Sequence, residues 1–166
     1  SIIVPCYNEK GNIVLLLNKL FEVMKKLAKN NWEIIIVDDG SNDGSNEIIK
    51  NYIDKKNNIK FFIHDRNYGI GKAIKTGIEN CSNENITIVP SDNQFDVSEL
   101  LRFKSVPNRV VYSLFRTKKY ESLSRNFLSY SNKLLIKYLS GYYINDINWI
   151  TIFKKRELAK ISLKLE

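Results

Sequence analysis

"WEIIIVDDGS", residues Trp32 to Ser41, decides the fold: four β-branched residues in a row, then two aspartates, a glycine and a serine. A run with no polar residue before its end reads as a strand buried on both faces, which places it inside a parallel sheet. Working outward, "SIIVPC" at the start of the chain is a second β-branched run. Between the two, Gly11 to Lys29 carries Ile13, Leu16, Leu17, Leu20, Val23, Met24 and Leu27 at helical spacing. The same reading predicts a helix over Asp43 to Lys56, a strand in "IKFFIHD", a helix over Gly71 to Asn80 and a strand in "NITIVP". A helix over Val97 to Lys104 and a strand in "RVVYSLF" follow. Apolar strands alternating with amphipathic helices predict an α/β fold: a mostly parallel central sheet flanked by helices on both faces, in a single domain. Beyond it, Ser124 to Leu139 reads as an amphipathic helix, "WITIF" as a strand and "KKREL" as a basic helix start, with no repeat or linker.

The 166 residues are 43% hydrophobic and 27% charged, which fits one soluble globular domain with a real core. A net charge of +8 favours polyanionic partners: nucleic acid, anionic lipid or phosphorylated small molecules. A nucleic-acid partner is not expected, because no recognition motif accompanies the charge. Cys6 and Cys81 lie far apart and His64 is the single histidine, so neither a disulfide framework nor a zinc site is expected, and a reducing, cytoplasmic setting is. His64 and Cys6 read as structural. Neither a signal peptide nor a run of about 18 apolar residues is present, and both ends look cut from a longer protein.

Ligands of open α/β sheets bind beyond the carboxyl ends of the strands. Three such ends carry polar clusters here: "PCYNE", "DDGSNDGS" and "PSDNQFD". Taken one at a time, Asn8, Glu9, Asp38, Asp39, Ser41 and Asp43 could each merely cap a helix; together they mark one edge of one sheet. The first strand has no GxGxxG after it and the chain has no Walker lysine motif, so side chains rather than a glycine loop are expected to hold a nucleotide. Asp38 and Asp39 suit hydrogen bonds to a base N–H or a ribose hydroxyl. Asp92 with Gln94 suits a divalent cation that neutralises a diphosphate. Gly69 and Gly71 could permit close helix packing.

"SIIVPCYNE", "IIIVDDGSNDGS", "NYGIGKAIKTGI" and "IVPSDNQFD", in this order and spacing, resemble family 2 glycosyltransferases, above all the dolichol-phosphate mannose synthase type and its polyprenyl-phosphate relatives. The likeness is clear from Ser1 to about Asp96 and looser to about Leu158. It implies a GT-A (Rossmann-like) fold, a UDP- or GDP-sugar donor, inversion at the anomeric carbon, and division into a nucleotide-sugar-binding half, 1–96, and an acceptor-side half, 97–166. Pro5, Tyr7 and Glu9 match the family's first nucleotide-contacting loop, Asp39 the acid that reads the base, and Asp92 the last acid of the DxD element, with Gln94 beside it. Ser91 and Lys72 join this donor set, Lys72 against charge growing on the leaving diphosphate. Pro90 stands where the first acid of DxD is usual, so the Mg²⁺ or Mn²⁺ clamp lacks one carboxylate. Asp96 matches a common family residue but reads as a helix cap.

On the acceptor side, Arg116, Arg125 and Ser129 match the family's basic patch for a lipid phosphate, Arg125 and Ser129 falling one helical turn apart. Asp146 matches a late acid and is the one candidate base if the acceptor is a hydroxyl. Where a basic residue often follows, this chain has "WITIF" with Thr151. The resemblance implies an enzyme at the cytoplasmic face of a membrane, transferring a sugar to polyprenyl or dolichyl phosphate. Two alternatives stay open: a glycan or other hydroxyl acceptor, and a non-catalytic nucleotide-sugar-binding module with a degraded metal site.

Overall fold

Strands β1 (Ile2–Cys6) and β2 (Ile34–Asp38) are buried along their whole length and pair in parallel from Ile2 with Ile34 to Cys6 with Asp38. The computed structural model describes residues 1–28, 31–54, 56–105, 111–113 and 151–158. Apart from Ser113 and Thr151 these belong to one compact unit, Ser1–Tyr112 with Ile152–Glu166; the second unit is Ser113–Thr151. The helix expected over 124–139 lies outside the described residues.

The elements follow in chain order: β1, α1 (Ile13–Ala28), β2, α2 (Ser45–Ile53), β3 (Ile59–Ile63), α3 (Ile70–Asn80), β4 (Asn85–Ile88), a 3₁₀ helix (Val97–Ser105), β5 (Val111–Ser113), β6 (Thr151–Lys154) and α4 (Lys155–Leu158). They form a six-stranded sheet in the order β3-β2-β1-β4-β6-β5. β2 pairs in parallel with β3 and β1 with β4, whereas β6 runs antiparallel to β4, Ile86 opposite Phe153. The expected mostly parallel α/β sheet is therefore present, with β6 reversed against β4.

Alternate residues of each strand face opposite ways. Ile3, Ile35, Val37 and Ile86 form one buried cluster with Ala73 of α3 and with Cys81, while Ile2, Val4, Ile34 and Ile36 are as deeply buried on the other side. α3 comes so close to β1 that a Cβ on Gly77 would stand 2.4 Å from Ile3 Cγ2. On α1 the buried residues are Ile13, Leu16, Leu17, Leu20 and Met24, the spacing of a helix with one apolar face. The segment from Val97 was expected as a helix and is a 3₁₀ helix. Its buried residues, Val97, Leu100 and Phe103, recur every third position, and only three residues per turn stacks them on one side.

β1 and β4 stay in register only at Ile2–Thr87 and Ile3–Ile88. Ile3 turns its carbonyl to Val89 N (2.9 Å), so Pro5, two residues on, presents its missing N–H to the β4 side, past the end of that ladder. A proline is tolerated in this central strand for that reason. Beyond it the two strands part, next to the point where the chain order of the sheet switches direction, which is where α/β sheets open a crevice.

Candidate functional site

The loops at the carboxyl ends of the strands hold every positive φ recorded among the described residues: Asn8 (55°), Gly40 (72°), Gly44 (91°), Gly69 (91°) and Asn93 (57°). Glycine and asparagine are the residues that enter this region most cheaply. At Gly40 the requirement is double, because a Cβ would also meet the backbone carbonyl carbon of Arg66 at 2.4 Å. Gly69 has open space around it; its conformation, not close packing, calls for glycine.

Most polar residues after β2 hold the loops in place. Asp38 accepts from the amide of Ser41 at 3.1 Å and from the Ser41 hydroxyl, and is fully buried. Asn8 and Glu9 donate their amides to Ser41 Oγ (2.9 Å) and Ser45 Oγ (3.0 Å), and the Lys10 amide donates to Asp43 Oδ2 (3.0 Å). The loops after β1 and β2 are thereby laced into one wall. Burial opposes it, but hydrogen bonds from Ser45 and the Lys10 amide hold the Asp43 carboxyl below the usual carboxylate range.

Asp39, 3% exposed, is tied instead to the loop that follows β3. Its Oδ1 accepts from His64 Nδ1 at 2.6 Å and its Oδ2 from the Gly69 amide at 2.7 Å, while the Tyr68 amide is shared between them at 3.1 and 3.2 Å. The far ring nitrogen of His64, Nε2, meets Thr76 Oγ1 of α3 at 3.0 Å. His64, expected to be structural, ties the loop after β2 to α3 through a residue expected in the donor set. The amides of Tyr68 and Gly69 reach Asp39 because Asn67 Oδ1 accepts from the same Gly69 amide (2.9 Å), an asparagine turn.

Asp39 lines a cavity of about 310 Å³ at the splay between β1 and β4. Pro5, Tyr7, Glu9, Ser91 and Asp92 line it too, so six of the expected donor residues converge on one space. Pro90 stands on its wall in the place of the missing acid. Three expected residues are not on the lining: Asp38, turned into its own loop, and the exposed Lys72 and Gln94. Asn67, Gly69, Ile70 and Ala73 line it as well and were not expected to. The readable signal was Asn67-Tyr68-Gly69, a turn at the carboxyl end of β3. Arg116, Arg125, Ser129 and Asp146 lie outside the described residues.

Asp92 is half-buried and accepts the Gln94 amide on Oδ1 at 3.1 Å; Oδ2 has no protein partner among the described residues. No group of three or more His, Cys, Asp or Glu side chains gathers for a metal among the described residues. One open carboxylate oxygen fits a Mg²⁺- or Mn²⁺-type cation whose other ligands are diphosphate and water, not one caged by protein. Gln94 contributes its amide to Asp92 and holds its side chain in solvent. Asp96, exposed, caps the 3₁₀ helix through the Ser98 amide (3.0 Å) and hydroxyl (2.8 Å), as expected. Burial, with the charges of Asp38 and Glu9, pushes the Cys6 thiol up to about 12, so it stays protonated and inert.

The family model described as "Glycosyl transferase family 2" matches residues 1–153, and the chain belongs to that family. Among curated proteins it is 27% identical, over 99% of this chain and 51% of the other, to an undecaprenyl-phosphate 4-deoxy-4-formamido-L-arabinose transferase of Pectobacterium atrosepticum. Among solved structures, S. aureus TarS in complex with UDP-GlcNAc is 31% identical over 62% of this chain and 29% of that one, with a TM-score of 0.53. The mannosyltransferase PcManGT of Pyrobaculum calidifontis, in complex with GDP-Man and Mn²⁺, is 18% identical over 97% of this chain and 46% of that one, TM-score 0.69, a likeness of fold. The chain spans about half the length of the first curated relative it matches. No helix among the described residues is long and apolar enough to cross a membrane.

Proposed function

We propose that this chain is the donor-binding, catalytic part of an inverting glycosyltransferase that moves a sugar from a nucleotide-sugar to a polyprenyl phosphate at a membrane surface. The observation that carries it is the convergence of Asp39 and Asp92 on one cavity at the carboxyl edge of a parallel sheet, in a chain of this family. The undecaprenyl-phosphate acceptor of its relative supports the lipid phosphate, and the basic balance of the chain suits an anionic leaflet.

Tyr7, Asp39 and the loop from Asn67 to Ile70 bind the nucleoside end of the donor, and Ser91 and Asp92 face its diphosphate. Asp92, with diphosphate oxygens and water, would hold a divalent cation, which supplies compensation for charge developing on the leaving group. An acceptor phosphate oxygen attacks the anomeric carbon in line with the departing diphosphate. Such an oxygen is already ionised near neutral pH, so no protein base is required; a hydroxyl acceptor would need one, the role assigned to Asp146. Pro90 on the cavity wall favours a second reading, a nucleotide-sugar-binding module without transfer.

The test is transfer of labelled sugar from UDP- and GDP-sugars to undecaprenyl phosphate with Mn²⁺, read as label in the organic phase. Labelled lipid from one donor class, lost in Asp92→Ala, is the expected result. Nucleotide binding without transfer to lipid or glycan acceptors would replace the enzyme with the binding module.

A further inference from the structure

The acceptor capacity of Asp39 limits which base it can read. An ionised carboxylate only accepts hydrogen bonds, at about four lone-pair positions. Three N–H donors already use them: His64 Nδ1 on Oδ1 (2.6 Å), the Gly69 amide on Oδ2 (2.7 Å), and the Tyr68 amide, nearer Oδ1 (3.1 Å) than Oδ2 (3.2 Å). Three of the four positions are then taken and one remains. Asp39 has no proton to give, so the proton in its bond with His64 belongs to Nδ1. In the neutral ring Nε2 consequently accepts from the Thr76 hydroxyl. The ring is pinned between the loop after β2 and helix α3, and Tyr68 packs against it edge-on with centroids 5.6 Å apart.

We propose that His64, by occupying Oδ1 of Asp39, makes this carboxylate a reader of a single N–H, so that the chain selects uracil over guanine nucleotides. The inference rests on the donor-site reading above and adds the base to it. Uracil offers one ring N–H. Guanine offers two donors side by side, N1–H and the N2 amino group, and pairing both with a carboxylate takes an open position on each oxygen. With one position left on a carboxylate that is 3% exposed, one guanine donor would go unmatched there, and an unmatched buried donor is costly. His64 is thus a specificity-determining residue that acts through Asp39.

The experiment is calorimetric titration of the full chain with UDP and with GDP, each with Mg²⁺, on wild type, His64→Leu and His64→Asn. Wild type is expected to bind UDP about tenfold or more tighter than GDP, the cost of one unmatched donor. His64→Leu opens Oδ1 and should shrink that ratio to about threefold or less. His64→Asn keeps a short N–H donor for Asp39 and should retain the UDP preference. Should the leucine variant fail to fold, His64→Phe, which keeps a ring without donors, is read in its place. A wild type that binds GDP as well as or better than UDP overturns the inference and leaves the donor site standing; so does a ratio that His64→Leu leaves unchanged. Binding of neither nucleotide overturns the donor-site reading itself.

Discussion

Glu33 and Asp39 flank the two ends of β2, both acidic, both buried (7% and 3% exposed), and both accepting backbone amides from other loops. Their settings differ in what closes around them. At the amino end, Glu33 takes Lys60 Nζ at 2.8 Å, the Ser1 hydroxyl at 2.6 Å and the Ser82 amide at 2.5 Å. Burial works against the charge, but these bonds and the Lys60 cation win, and hold the Glu33 carboxyl at about 2. That carboxylate is neutralised and off every described cavity wall. Asp39 has no lysine or arginine partner among the described residues, and it lines a cavity. One sequence position class, an acid at the end of a buried strand, thus serves closure at one end and, in the proposed function, recognition at the other. Cavity size alone points to the other end of the sheet. A space of about 400 Å³ lies at the amino end, walled by Met24, Leu27, Trp32 and Phe103 among others, without a carboxylate pinned into it by backbone amides.

The comparison breaks most visibly at Asp39. Asp39→Ala leaves the amides of Tyr68 and Gly69 and the ring of His64 without their acceptor. It should cost about 3 kcal/mol in urea unfolding and abolish nucleotide binding in the same sample. Glu33→Gln should cost about 1–3 kcal/mol yet leave the nucleotide Kd unchanged. If it weakened binding as much as stability, the division of labour between the two ends would be false.

The same variant sharpens the pH dependence. A carboxyl depressed from 4.5 to about 2 contributes stability that is fully present above the unfolded value and is lost as pH falls from about 4.5 toward 2. In Glu33→Gln the acid limb of the unfolding profile should flatten across that window. Smallest is Gly77→Ala, where the new methyl meets Ile3 Cγ2 at 2.4 Å. Overpacking there should cost about 1–2 kcal/mol, read as a lower Tm, with nucleotide affinity preserved.

Much of this was legible in the sequence, for reasons that differ by element. "IIIV" could only be a strand buried on both faces, and its position fixed where the acids would emerge. Strand direction is not written in hydrophobic pattern, so β6 gave no sign of running against its neighbour. The 3₁₀ helix could have been read from the threefold spacing of Val97, Leu100 and Phe103. At the site, Asp38 and Asp39 are indistinguishable as residue types. What separates them is the turn at Gly40, which folds one acid back onto Ser41 and leaves the other facing the loop after β3. That His64 meets Asp39 could not be read from the sequence, because the two lie 25 positions apart, across a loop whose path no local pattern reveals.

In the proposed function the cavity between β1 and β4 binds a nucleoside diphosphate with a cation held through Asp92. Titrating UDP into wild type and Asp92→Ala, with and without Mg²⁺ or Mn²⁺, tests it most directly. Wild-type binding should strengthen about tenfold or more with the cation, and the weaker binding of the variant should no longer respond to it. Equal affinity with and without the cation in both proteins would contradict it.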